Sequence, residues 1–146
     1  ERFLVDQPPT PQQVAEARAF VEELLGKVRE HVELRAVDQI VGVAGTMTTL
    51  AALTLGLSSY DPERIHMATL SLEDFRSTAR SLVELTPPQR CEYGPMHPGR
   101  ADVIGGGAIV VDAFTSQFLD WGLSEITISE KDILDGVLAE VMARPL

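Results

Sequence analysis

Between Val14 and Val32 the apolar residues Val14, Ala17, Val21, Leu24, Leu25, Val28 and Val32 recur at helical spacing, with Glu22 and Glu23 between them. That period predicts one long helix with a buried face and an acidic face. Its start is marked by Thr10-Pro11-Gln12-Gln13 after a Pro8-Pro9 break: a capping hydroxyl, a proline at the first helical position and a glutamine able to reach back. The pattern then changes. Gln39-Ile40-Val41-Gly42-Val43 is a short apolar run without alternation, which predicts a strand over about 38–43, apolar on both faces as in a sheet interior. Ala44-Gly45-Thr46 turns the chain into a helix capped by Thr46 and ending near Gly56, with Ser58-Ser59-Tyr60-Asp61-Pro62 as a loop.

Ile65 to Leu70 reads as a short extended segment, and Ser71-Leu72-Glu73-Asp74 as a capping box opening a helix to about Leu85, where Thr86-Pro87-Pro88 stops it. Gly94-Pro95-Met96-His97-Pro98-Gly99 connects to a long apolar helix from about Arg100 to Trp121, terminated by Gly122. Glu125-Ile126-Thr127-Ile128 alternates like a strand, and Ser129-Glu130-Lys131-Asp132 caps a last helix to about Met142. The fold class is therefore α/β, one domain over 1–146, helix-rich with two or three strands. So small a sheet is marginal alone, which predicts further strands that are absent or come from a neighbouring chain.

Composition narrows the function classes. The 146 residues are 45% hydrophobic, enough for a core, and no apolar run approaches the roughly 20 residues that span a bilayer. The chain begins Glu1-Arg2-Phe3-Leu4, without a basic region and apolar signal segment, and its lack of a starting Met suggests a fragment or processed chain. The single Cys91 cannot form an internal disulfide; it reads as a small, partly buried thiol, and a cytoplasmic location is expected. A net charge of −10 argues against nucleic acid and against a membrane surface as partner, and requires any polyanionic substrate to meet a local cation or a metal.

Candidate chemistry is concentrated at two places. Strand, glycine turn and threonine-led helix at Gly45 and Thr46 present first-turn N–H groups and a positive dipole to an anion, although a plain structural turn has the same sequence. Arg100 follows Pro98-Gly99 at a helix start, where a cation opposes the dipole unless an anion or carboxylate pairs with it. A bound ligand and a salt bridge, with Asp102 or another lobe, are both open. Gly105-Gly106-Gly107 lies inside Val103-Ile104 and Ala108-Ile109-Val110-Val111, so it reads as a close helix approach rather than a phosphate loop. His31, His66 and His97 have no metal-ligand spacing, and His97 reads as a loop residue that could touch a substrate. No Ser-His-Asp or Cys-His arrangement has local support, and Ser129-Glu130 reads as a helix cap.

Three segments, Val41-Gly42-Val43-Ala44-Gly45-Thr46-Met47-Thr48-Thr49-Leu50-Ala51, Met96-His97-Pro98-Gly99-Arg100-Ala101-Asp102-Val103-Ile104 and Ile128-Ser129-Glu130-Lys131-Asp132-Ile133-Leu134-Asp135-Gly136, together resemble the exopolyphosphatase and guanosine pentaphosphate phosphohydrolase family. Glu1-Arg2-Phe3-Leu4 and Asp6-Gln7-Pro8-Pro9-Thr10 resemble the family's entry into the first long helix of its second lobe, so the likeness covers essentially the whole chain. It is nearest to short actinobacterial members. The resemblance implies an actin-like, ribonuclease H-like two-lobe fold, of which this chain is the later part of the second lobe.

The family's Asp-x-Gly-Ser/Thr loop, its Asp-x-Gly-Gly-Gly-Ser loop and its catalytic glutamate have no counterpart here, so no catalytic residue is assigned to this chain. By resemblance Gly45 and Thr46 match the nucleotide-facing turn, and Arg100 an arginine that could contact a phosphate-bearing ligand. Ala44 stands where many relatives have Gly. The implied parent hydrolyses the terminal phosphoanhydride of polyphosphate or guanosine pentaphosphate with Mg²⁺, neither metal nor cofactor being bound by this chain alone. Its expected partners are the missing amino-terminal lobe and a second copy in a homo-oligomer. A free-standing, non-catalytic nucleotide-binding or dimerisation module is the competing reading.

Overall fold

The computed structural model describes residues 2–143, so Glu1 of the opening segment and residues 144–146 lie outside the described residues. The capping box at Thr10 forms as the sequence requires and opens helix α1, Pro11–Arg29. A 3₁₀ turn, Leu34–Ala36, precedes strand β1, Val41–Gly42. Helices α2, Ala44–Thr54, and α3, Pro62–Ile65, lead to strand β2, Ala68–Ser71, and helix α4, Leu72–Val83. Two single-turn helices follow, α5, Pro87–Arg90, and α6, Pro98–Ala101; then come helix α7, Ile104–Leu119, strand β3, Glu125–Ile128, and helix α8, Ile133–Ala143.

The strands form one mixed sheet in the order β1-β3-β2, with β1 parallel and β2 antiparallel to β3. Gly42, Ile128 and Ala68 are in register, as are Val41, Thr127 and Thr69. Period two along the strands sends Ile126, Ile128 and Leu70 into the core, where Leu50, Leu72, Phe75 and Ile104 are buried with them. Helices α4 and α7 pack on each other, with α1 against α7 and α2 against α4.

Several expectations need correction. The strand predicted over 38–43 is an edge strand of two residues, and Val41 and Val43 are exposed rather than enclosed on both sides. Its hydrogen bonding does run a little further, since Thr127 N–H donates to the Ile40 carbonyl and Ser129 N–H to the Gly42 carbonyl. The apolar stripe of α1 buries only Ala17 fully; Leu24, Val28 and Val32 face solvent. The long helix expected from Arg100 breaks after Ala101 and resumes at Ile104. Cys91 is exposed. Ser129 exchanges hydrogen bonds with the backbone of Lys131, and it is Asp132 that accepts from the Leu134 N–H at the start of α8. The glycines expected to end helices are placed accordingly, Gly56 after α2 and Gly122 after α7, both at positive φ.

Candidate functional site

Parallel strands β1 and β3 end on the same side of the sheet, and α2 begins there. The turn between β1 and α2 is made by Ala44 at φ +70°, a conformation that L side chains rarely adopt. Thr46 does not cap α2. The N-cap residue is Val43, and among the described residues no side chain caps the first-turn N–H groups. Thr46 instead packs against α7: a Cβ on Gly107 would lie 2.9 Å from its Oγ1 and Cγ2. Gly107 is therefore a close-contact position toward Thr46, and Gly105 toward Arg90, whereas a side chain at Gly106 would meet only an ordinary contact with Leu4.

Arg100, on α6, crosses to this turn. Its Nη1 donates to the Gly45 carbonyl at 3.0 Å and to Thr49 Oγ1 at 2.6 Å. The guanidinium covers Gly45 so closely that a Cβ there would lie 2.7 Å from Nη2. Among the described residues Arg100 has no carboxylate within ion-pair distance, and the salt bridge to Asp102 is not formed. A half-buried cation and an uncapped helix N-terminus thus converge on one turn, and both favour negative charge. His97, the residue beside it, is exposed and spends Nδ1 as acceptor for the Gly99 N–H, capping α6.

A second set of polar groups adjoins the turn through Thr48. The Tyr60 hydroxyl lies 2.7 Å from Thr48 Oγ1 and donates to Glu130 Oε1 at 2.6 Å. Glu130 is anchored by its own N–H, which donates to His66 Nδ1 at 3.2 Å. Burial, then the bond to the Glu130 carboxylate, push the Tyr60 phenol above its ordinary value, while Thr48 and the positive charge of Arg100 pull the other way. Tyr60 and Glu130 were not legible as site residues, because one lies in an unstructured-looking loop and the other in a capping pattern. Thr48 and Thr49 carried a signal: they stand three and four residues beyond Gly45, the helical spacing that returns a side chain to the turn.

The sequence reading also missed Asp112. It is buried in α7 and receives Arg18 from α1 together with Arg76 and Arg80 from α4, at 3.0 and 3.3 Å for the latter two. A carboxylate inside Val110-Val111-Asp112-Ala113 was the available clue, since a buried charge requires partners. The groove beside it, lined by Pro11, Val14, Arg18, Arg80, Ala108 and Asp112, lies farther along α7. Arg18 and Arg80 there are paired with Asp112, whereas Arg100 at the Gly45 turn has no carboxylate within ion-pair distance among the described residues. Among the described residues no group of three or more His, Cys, Asp or Glu could hold a metal ion, and no helix is long and apolar enough to cross a membrane.

Known proteins match this chain in sequence and fold over nearly its whole length. Residues 1–144 match the Ppx/GppA phosphatase family. The chain is 44% identical over 138 residues to exopolyphosphatase 2 of Mycobacterium tuberculosis, covering 94% of this chain and 43% of that protein. The crystal structure of an exopolyphosphatase-like protein superposes with a TM-score of 0.92 at 33% identity, over 96% of this chain and 46% of its own. That of the Aquifex aeolicus Ppx/GppA phosphatase gives 0.80 at 29% identity, over 97% and 45%. The chain thus spans less than half the length of these relatives, and its small mixed sheet with flanking helices is part of an actin-like ATPase fold. With motif order, family match and fold in agreement, the chain belongs to the Ppx/GppA phosphatase family.

Proposed function

We propose that this chain is the later part of a longer phosphohydrolase that removes terminal phosphates from inorganic polyphosphate or guanosine pentaphosphate. Its own task is to present a cation to the substrate. The observation that carries this reading is Arg100, held over the start of α2 with no carboxylate partner among the described residues. A net charge of −10 repels a polyphosphate chain at a distance, so binding needs a place where charge is reversed locally. Arg100 supplies a donor fork suited to phosphate oxygens, and the Gly45 turn lets an oxygen approach backbone N–H groups. The identity to a protein named exopolyphosphatase supports the substrate class.

Catalysis itself is assigned to the portion outside this chain. Phosphoryl transfer depends on positioning and charge stabilisation, and the loops that supply both in the family are not encoded here. The residues present do not form a Mg²⁺ cage, since Glu130, the carboxylate bonded beside the turn, is engaged by Tyr60. By the family resemblance Mg²⁺ goes with the catalytic loops outside this chain, and a cytoplasmic enzyme using it is the expected whole. Purified alone, the chain should release no phosphate from polyphosphate above buffer; Mg²⁺-dependent turnover by a pure preparation would overturn this.

Arg100→Ala in the full-length parent tests the reading directly. Loss of one charge-assisted hydrogen bond is worth roughly 1.5–3 kcal/mol, so KM for polyphosphate should rise about tenfold or more, with little change in melting temperature. A lowered melting temperature with unchanged kinetics would make Arg100 structural. The exposed apolar face of α8 favours one further role, association with the missing lobe or a second copy.

A further inference from the structure

Arg90 is 1% exposed, and among the described residues it makes no ion pair. Its charge is met by backbone. Nε donates to the Leu82 carbonyl at 2.8 Å and Nη1 to the Ala101 carbonyl at 2.8 Å. Leu82 lies in the last turn of α4 and Ala101 is the last residue of α6, so the guanidinium bridges two helix C-termini. At the end of α4 the helix dipole is negative and favours a cation. Burial lowers the Arg90 pKa from its ordinary value, and the charge of Asp102 opposes that shift.

The Ala101 carbonyl is the one that a continuous helix would offer to the Gly105 N–H. Turned to Arg90, it leaves Asp102 and Val103 between α6 and α7. Gly105 makes the room: a Cβ there would lie 2.6 Å from Arg90 Nη2 and 3.0 Å from Cζ. The residue whose carbonyl Arg90 holds directly follows Arg100. We propose that Arg90 is a positioning residue, which by seizing the Ala101 carbonyl keeps the helix broken and aims Arg100 at the Gly45 turn.

The proposal rests on the reading of Arg100 as a substrate-facing cation, and the experiment separates the two. In the full-length parent, KM and kcat for polyphosphate and the melting temperature are measured for Arg90→Lys, Gly105→Ala and Arg100→Ala, and for each of the first two combined with Arg100→Ala. Lysine brings charge without the fork that bonds two carbonyls, and Gly105→Ala displaces the guanidinium while leaving Arg90 in the sequence. Each should raise KM toward the roughly tenfold effect of Arg100→Ala, with kcat about unchanged, and should add nothing once Arg100 is gone. A KM increase that persists undiminished in the Arg100→Ala background overturns the proposal, as does a fall in melting temperature with KM unchanged. Should Arg100→Ala itself leave KM unchanged, the substrate reading fails, and the crystal structure of the Gly105→Ala protein decides about Arg90. Arg100 displaced from the Gly45 carbonyl upholds the positioning role, and Arg100 still bonded there overturns it.

Discussion

Ala44 shows what one methyl group does at this turn. At φ +70° it bears roughly 1–2 kcal/mol of left-handed strain, and glycine would relieve that at about 0.5–1 kcal/mol for a looser unfolded chain. Strain wins by a small margin. Ala44→Gly should therefore raise the melting temperature by about 2 °C, as judged by the usual scaling for a chain of this size; a decrease would show that Ala44 is held by contacts worth more than its strain. Tyr60 offers a second test, in pH. Its folded-state pKa is raised, so the stability it contributes is present below its unfolded value, near 10, and is lost as pH rises through the folded value. Phenolate absorbance in a Tyr93→Phe background should titrate above the ordinary range, and Glu130→Gln should bring the midpoint down. An unmoved midpoint would remove Glu130 as a cause.

At the scale of elements, α1, α4 and α7 are joined by one carboxylate. Asp112 holds Arg18, Arg76 and Arg80, so Asp112→Asn leaves three guanidinium groups facing a neutral amide. Asp112 is buried but the Arg18 and Arg80 side chains are about a third and nearly half exposed, so solvent screening lowers the cost to about 1–3 kcal/mol, which urea unfolding would read directly. A loss below about 1 kcal/mol would mean that Glu73 and Glu22, already paired with these arginines, suffice. What the sequence told in advance follows the same division. Helix starts at Thr10 and Ser71 were legible because a cap is a local event, written in four residues. The break at Asp102-Val103 was not, since Arg90, to which we assign it, stands twelve residues before Asp102 and acts through tertiary contact. The Gly45 turn was found for the right segment but the wrong cap: Thr46 faces α7 because Gly107 admits it, and spacing alone carries no trace of that pairing.

The whole molecule has one closed side and one open side. Its core lies between the sheet and α2, α4 and α7, whereas β1 is an edge strand with Val41 and Val43 exposed, and no residue of α8 is buried. Ile133, Leu134 and Met142 on α8 are each more than two-thirds exposed. Covering such surface is worth roughly 25 cal/mol per Å², so the chain alone should self-associate as concentration rises, in light scattering, and Leu134→Asp with Leu138→Asp should suppress it. A compact monomer at every concentration would show that α8 folds onto its own chain. The closed side has a different consequence. Because the core is completed by helices that this chain itself supplies, the chain should fold on its own, with a cooperative thermal transition. It should behave as one piece of a split enzyme: mixed with a separately produced amino-terminal half, it would restore phosphatase activity with second-order kinetics, the open sheet edge and α8 serving as the seam along which the two pieces find each other.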